Sequence, residues 1–266
     1  PEAKVLFIGQ AGENLVRFAN VRTGPKNAAG RTGMGAVMGS KNLKAVAVRG
    51  TMGLELAHHH DALEVFRKKT EQVLDSNATR AIQTYGTLVV FNTANSSGQI
   101  RVRNFQSNVL PKADTLDPEY MHEHFTIGYA GCYGCAIHCR HKYIVPEGPA
   151  QGTYTEGPEY TTIGAFGTEL GSRRMETVLR GNYIANKYGF DTLEFGSMAA
   201  WAMELYEKGL IDDEVTGGLK LEWANEEAIF ELVEQIVFRK GFGDILAEGP
   251  LRAIERLGEK TRYYNI

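Results

Sequence analysis

Cysteine is scarce in this sequence. Only three occur in 266 residues, at positions 132, 135 and 139, all inside the stretch GCYGCAIHCRHKY that runs from Gly131 to Tyr143. An odd number of thiols in so short a window excludes a disulfide framework. It is also one ligand short of a tetrahedral metal site. An excess of charge of either sign is missing too: 29 Lys and Arg face 32 Asp and Glu, for a net charge of −3. That balance removes the basic footprint of a nucleic-acid partner. Long apolar runs are absent, since KAVAV and GTLVVF are far too short to span a bilayer. No charged, apolar, small-residue leader stands at the front. These absences lead to the expectation of a cytoplasmic protein with neither nucleic-acid nor membrane partner. What is present is ordinary globular material: hydrophobic residues make up 43%, enough at this length for a buried core and about two domains.

KVLFIG (Lys4 to Gly9) and NLKAVAVRG (Asn42 to Gly50) read as buried strands separated by a glycine-rich loop, NAAGRTGMGAVMGSK. The first strand follows Pro1 almost at once, with no lead-in to pair with, so the chain is expected to belong to something longer. After about Gly53 the texture becomes helical. DALEVFRKKTEQVL, RMETVLRGNYIANKY, TLEFGSMAAWAMELYEKG and NEEAIFELVEQIVFRKG place apolar residues at helical spacing, and glycines 189, 209 and 241 act as stop signals. Asn225 before Glu226 and Glu227 starts one helix, and Asp191 with Glu194 forms a capping-box pattern for another. The triplet His58 to His60 reads as solvated, because adjacent helical residues diverge by about 100°. The expected class is α+β: a short β-containing segment over residues 1–55, then a mostly α-helical domain over residues 56–266.

Cys132, Cys135 and Cys139 follow C-x2-C-x3-C. On a helix their sulfurs would fall within roughly a 60° arc of one face, which suits a compact soft-metal site. Zinc would need His138 or His141 as a fourth ligand, and neither shares that arc unless the helix breaks. Radical enzymes that use S-adenosylmethionine carry the reverse spacing. An iron–sulfur cluster whose fourth thiolate comes from elsewhere is the better fit. The loop AAGRTGMGAVMGSKN carries glycines 30, 33, 35 and 39 beside Arg31 and Lys41, a composition that lets backbone N–H groups approach phosphate. It matches neither the Walker count nor the dinucleotide spacing, and it precedes a strand. A plain glycine-rich turn therefore remains its alternative reading.

Taken together, GQAGENLVRFANV, AAGRTGMGAVMGSKNLKAVAVRG, CYGCAIHC, EGPEY and YGFDTLEFGSMAAWAMELYEKGLI resemble, in order, successive motifs of the tungsten-containing aldehyde ferredoxin oxidoreductase family. The resemblance implies a tungsten (or molybdenum) bis-pterin cofactor, magnesium bridging the pterin phosphates, and a 4Fe-4S cluster that passes electrons to ferredoxin or another electron-transfer subunit. It implies a small aldehyde as substrate or, for the related aromatic acyl-CoA ring reductases, an acyl-CoA. It also places the chain at the end of the N-terminal pterin-binding domain and in the middle helical domain. The remaining domains of the parent would be partners, the fourth cluster cysteine among them, and the isolated chain is expected to be catalytically incomplete. Assembly with further copies is left open.

Residue by residue, the resemblance makes Cys132, Cys135 and Cys139 the cluster ligands. Ala28, Gly30 and Arg31 match the pterin-phosphate loop, where Asn27 stands in place of a typical arginine. In NKYGFD, Asp191 matches a pterin-binding carboxylate, Phe190 replaces a leucine, and Asn186 replaces the first aspartate of the pattern. Asn186 can still accept a hydrogen bond but loses the charge assistance. Asp191 also reads as a plain helix N-cap. Glu156 and Glu159 of TYTEGPEYTTIG both fit the region of a catalytic glutamate. Glu159 is preferred, as a base if burial lifts its pKa. The alternative reading is a loop carboxylate that caps a helix.

Overall fold

The computed structural model describes residues 2–266. Pro1, on which the expectation of a longer chain leaned, lies outside the described residues. The first fifth of the chain forms an antiparallel sheet of β1 (Lys4–Ile8), β2 (Val21–Thr23), β3 (Asn27–Ala29) and β4 (Ala45–Val48), ordered β3-β2-β1-β4. The helices α1 (Gln10–Glu13) and α2 (Met34–Ser40) fill the connections between strands. Both expected strands form, but β1 is buried only at its Ile8 end and β4 not at all. Every residue of β4 is exposed, Val48 to 62%, and Val5 and Leu6 of β1 are exposed with it. Period-2 apolar spacing reports strand conformation, whereas burial depends on what packs against the strand. The glycine-rich loop is also more structured than its composition suggests. Arg31, Thr32 and Gly33 take successive left-handed conformations (φ 56°, 60° and 70°), and α2 follows at once.

The rest is mainly helical, as the texture after Gly53 indicates. The succession is α3 (His59–Leu74), α4 (Asn77–Tyr85), α5 (Phe91–Ser96) and α6 (Pro118–Phe125), then α7 (Tyr160–Phe166), α8 (Met175–Tyr188) and α9 (Thr192–Glu207). The chain ends with α10 (Asp213–Thr216), α11 (Glu226–Val237), α12 (Gly241–Ala247) and α13 (Pro250–Leu257). Gly241, read as a stop signal, instead opens α12. His58 to His60 lie exposed at the start of α3. A second antiparallel sheet, β5 (Thr126–Ala130), β6 (Arg140–Ile144) and β7 (Tyr154–Glu156), interrupts the helices. Its hairpin β5–β6 carries all three cysteines at the tip.

α9 is apolar around most of its surface and runs through the core, with every residue from Met198 to Leu205 buried. Phe195 on α9 stacks on Phe166 of α7 (centroids 4.9 Å apart), and Trp201 donates its indole N–H to Thr261 O at 3.0 Å. Burying each such aromatic contributes about 2–3 kcal/mol. The start of α9 is set by Asp191, whose Oδ1 accepts from Leu193 N at 3.1 Å. The end of α8 is set by Gly189 in the left-handed conformation.

The two parts meet along a backbone seam. Ala19 bridges Phe190 antiparallel, Asp191 N donates to Phe18 O and Asn20 N donates to Gly189 O, both at 2.9 Å. Ala11, Val16, Phe18 and Ala19 join the same hydrophobic core as α7, α8 and α9. The glycine-rich loop is thereby held against the α8–α9 corner.

Candidate functional site: the Arg31 cleft and the cysteine hairpin

The seam brings together two residues that lie far apart in sequence. Arg31 reaches Asp191 Oδ2 at 3.5 Å and Glu194 Oε2 at 3.4 Å, on the wall of a cleft of about 540 Å³. Burial pushes the Asp191 carboxyl above its ordinary pKa, against the opposing pull of Arg31 and of the Leu193 and Glu194 backbone amides. Glu194 is raised for the same first reason, with Asp191 adding to the effect and Arg31 opposing it. A guanidinium has five N–H donors, so contact with two carboxylates leaves part of the fork free. Arg17 and Arg252 line the same cleft, each held by Glu248, at 3.1 and 3.7 Å.

The other expected cofactor residues, Ala28, Gly30, Asn186 and Phe190, do not line this cleft. Ala28 on β3 and Gly30 just after it lie on the exposed run that leads into Arg31. Asn186, half-buried on α8, has a buried Nδ2 without a hydrogen-bond partner, and so does Asn20 Oδ1 beside Gly189. Buried polar atoms are rarely left unpaired. A donor and an acceptor left unpaired around the Gly189 corner are groups of the kinds that a heterocycle such as a pterin could satisfy. Phe190 points its ring into the core, against Phe195 at 5.6 Å, and its carbonyl accepts from Asn20 Nδ2 at 2.8 Å.

The two candidate glutamates differ sharply. Glu156, on β7, is buried, with Oε2 2.9 Å from Arg140 Nε and Oε1 accepting from Tyr154 Oη at 3.3 Å. Glu159 is half-exposed at the N-cap of α7, makes no capping hydrogen bond and pairs with Lys26 of the β2–β3 turn. Its Oε2 accepts from Thr87 Oγ1 at 2.5 Å, and the same hydroxyl accepts from Tyr160 N at 2.9 Å. Burial alone would raise the Glu159 pKa, but Lys26 and Thr87 outweigh it and hold the carboxyl below its ordinary 4.5. The condition set on the sequence, a pKa lifted by burial, is therefore not met. Burial does raise the carboxyl of Glu169, as it raises Asp191 and Glu194; Arg101 at 3.0 Å opposes it, and it lies beside a cavity of about 180 Å³ that Tyr160 also lines. Lys26, Thr87, Arg101 and Glu169 had no sequence signal, because each acquires its meaning from a partner many residues away.

The cysteines do not lie on a helix. They occupy an irregular loop closed by the Ala130–Arg140 pair, with Cys135 N donating to Cys132 O at 3.0 Å and Gly134 turning the chain at φ 68°. All three are free thiols, Cys132 exposed and the other two half-buried. Each neighbouring histidine gives one ring nitrogen to a backbone carbonyl, His141 Nε2 to Gln83 O at 2.9 Å and His138 Nδ1 to Ala136 O at 2.8 Å. Among the described residues, no three His, Cys, Asp or Glu side chains converge so as to hold a single metal ion. Three thiols on one hairpin are a soft-metal donor set, common to thiolate-bound iron clusters and to zinc sites. Cys139 O packs against Gly86, next to the Thr87 that holds Glu159, so the thiol hairpin, the carboxylate and the β2–β3 turn are structurally continuous.

The family model for the aldehyde ferredoxin oxidoreductase N-terminal domain matches residues 1–50, and the model for domains 2 and 3 of the same family matches residues 64–265. The chain belongs to the aldehyde ferredoxin oxidoreductase family, a family of tungsten oxidoreductases. It is 42% identical to the tungsten-containing aldehyde ferredoxin oxidoreductase of Pyrococcus abyssi, over 98% of this chain and 43% of that protein. It is 31% identical to the WOR-like subunit of the aliphatic sulfonate oxidoreductase of Pyrococcus furiosus, over 97% of this chain and 41% of that subunit. Among solved structures it resembles the active-site complex of benzoyl coenzyme A reductase with 1,5-dienoyl-CoA, with a TM-score of 0.78, 28% identity, and coverage of 99% of this chain and 41% of that one. The chain thus spans about two-fifths of the length of these relatives. Among the described residues, no helix is long and apolar enough to cross a membrane.

Proposed function

We propose that this chain supplies the cofactor-facing part of a tungsten–bispterin oxidoreductase that converts aldehydes to carboxylic acids and sends electrons through a 4Fe-4S cluster to ferredoxin. The observation that carries the proposal is the cleft in which the Arg31 loop meets Asp191 and Glu194. When bound, the tungsten bis-pterin would supply the two-electron oxidation and the cluster would supply single-electron exit. Asp191 and Asn186 would hold pterin N–H and carbonyl groups. Ala28, Gly30 and Arg31 would hold its phosphates, with magnesium between them, and Cys132, Cys135 and Cys139 would hold the cluster.

Glu159 remains ionised at neutral pH, so it accepts hydrogen bonds from water or substrate without first losing a proton. A carboxylate this well stabilised is a weak base, which suits orientation of water better than abstraction of a proton. Lys26 sets that state. Replacing Lys26 with Met leaves burial as the dominant influence and should raise the Glu159 pKa. In the unsubstituted protein, the stability contributed by the depressed pKa is fully present above the ordinary 4.5 and is lost as pH falls through the folded value. A melting curve against pH should therefore show less acid-induced loss in Lys26→Met. An unchanged pH dependence would refute this role for Lys26.

The proposal is tested by Arg31→Ala in the complete protein, expressed with tungstate. Tungsten and pterin content should fall while iron is retained. Equal loss of both metals would mean that the change merely unfolds the domain, and full tungsten occupancy would sink the reading. Asp191→Asn should act in the same direction but more mildly, because asparagine also caps helices.

The structural likeness to the benzoyl coenzyme A reductase complex supports a second reading, in which this chain belongs to an aromatic acyl-CoA ring reductase and electrons run towards the substrate. Turnover of an aldehyde with a dye acceptor against reduction of an aromatic acyl-CoA separates the two. A non-catalytic iron–sulfur or zinc module is the reading from another class, and metal analysis separates it: zinc without tungsten would favour the module.

A further inference from the structure

Arg22, on β2, is only 3% exposed, yet among the described residues no carboxylate lies within ion-pairing distance of it. Its one hydrogen bond runs from Nη2 to Pro25 O at 3.1 Å, and its buried Nε has no partner. Burial pushes its pKa down to about 10, so the guanidinium is still charged at neutral pH. A buried charge without a counterion is costly. Natural sequences keep such an arginine where something anionic meets it, since its planar fork matches an oxyanion.

The position of Arg22 indicates what that anion is. Its Cα pairs with Ala28 across the β2–β3 hairpin, and its Cγ lies 3.7 Å from where a Cβ on Gly189 would sit. Arg22 therefore lies between the run leading into Arg31 and the corner that presents Asn186 and Asp191. On β3 itself the first position is Asn27, which is uncharged. Lys26, the nearest other cation in the chain, is already committed to Glu159.

We propose that Arg22 is an anion-holding residue of this site, taking a phosphate oxygen of the cofactor and supplying the positive charge that position 27 lacks. This rests on the reading of the Arg31 loop as the phosphate-binding segment. The bound anion offsets the buried charge, and the Nε proton and the free edge of the guanidinium become paired.

Inorganic pyrophosphate is the probe, titrated calorimetrically into the complete protein prepared without tungsten. Comparison is made with Arg22→Met, which keeps the length of the side chain but not the charge, with Arg22→Lys, and with Arg31→Ala. Pyrophosphate should bind the unsubstituted protein. Arg22→Met should weaken binding by about tenfold or more, the scale of losing charge-assisted hydrogen bonds. Arg22→Lys should fall between the two, since it keeps the charge and loses the fork. Without pyrophosphate, Arg22→Met should melt no lower than the unsubstituted protein, because the uncompensated charge is gone. Two results overturn the inference and leave the Arg31 reading standing. One is a loss of pyrophosphate binding in Arg31→Ala but not in Arg22→Met. The other is an Arg22→Met protein that melts well below the unsubstituted one while binding normally, which would make Arg22 a brace for the Pro25 turn or for another chain segment. Absence of binding by the unsubstituted protein, or binding indifferent to both residues, overturns both ideas together.

Discussion

Gly9→Ala is expected to destabilise the protein by about 3 kcal/mol, near the upper end for an inserted methyl group, and to remove most of the tungsten from the complete protein. An alanine Cβ at this position would lie 2.2 Å from Tyr188 O, 2.4 Å from Tyr188 C and 2.8 Å from Gly189 N. All three obstacles are backbone, so no side-chain rotation relieves the contact. Gly9 has φ −85°, an ordinary value for alanine, and the cost is therefore steric rather than conformational. The contact lies on the seam that holds the N-terminal sheet against the α8–α9 corner, and opening the seam separates Arg31 from Asp191. Gly24→Ala is the control: φ there is 78° but the space is open, so only about 1 kcal/mol of backbone strain is expected. Urea denaturation with parallel tungsten analysis decides the matter. A Gly9→Ala protein within about 0.5 kcal/mol of the original and fully loaded would show that the seam is not what builds the cleft.

The second large effect concerns iron. Cys132→Ala, Cys135→Ala or Cys139→Ala, each in the complete protein made without oxygen, should lose most of its iron, because every cluster corner depends on its own thiolate. His138→Ala should keep it. His141→Ala should keep iron per folded molecule while lowering the melting temperature, since Gln83 O loses the donor that ties β6 to α4. Zinc in stoichiometric amount, with iron unaffected by any cysteine change, would remove the cluster from the proposed function. Tungsten should survive the loss of a thiol better than it survives Arg31→Ala, and this contrast distinguishes two sites from one unfolding event.

Local patterns made much of the architecture legible. α8, α9 and α11 follow from 3.6-residue periodicity, from Asp191 and Asn225 as caps and from Gly189 as a left-handed stop, and they form with those caps in place. Other features were not legible, each for its own physical reason. The helix α2 was concealed because four glycines in the surrounding loop depress helix propensity, and tertiary contact overrides that. Whether the cysteines lie on a helix or a loop was not legible, because C-x2-C-x3-C fits both a helical arc and a tight turn, and only the β5–β6 pairing selects the loop. The pairing of Lys26 with Glu159 joins residues with no shared local pattern, so no window of sequence contains it.

By itself, the sequence determined the α+β class, the main helices, the family resemblance with its candidate ligands, and the confinement of every thiol to one window. These are properties of neighbouring residues, governed by backbone propensity and side-chain periodicity. Only the tertiary structure decided that Arg31 faces Asp191 and Glu194, that Glu159 is held ionised while burial raises the carboxyls of Glu169, Asp191 and Glu194, and that Arg22 lies buried without a counterion. Charge state and pairing depend on desolvation and on distances across the fold, and these exist only once segments remote in sequence have packed together.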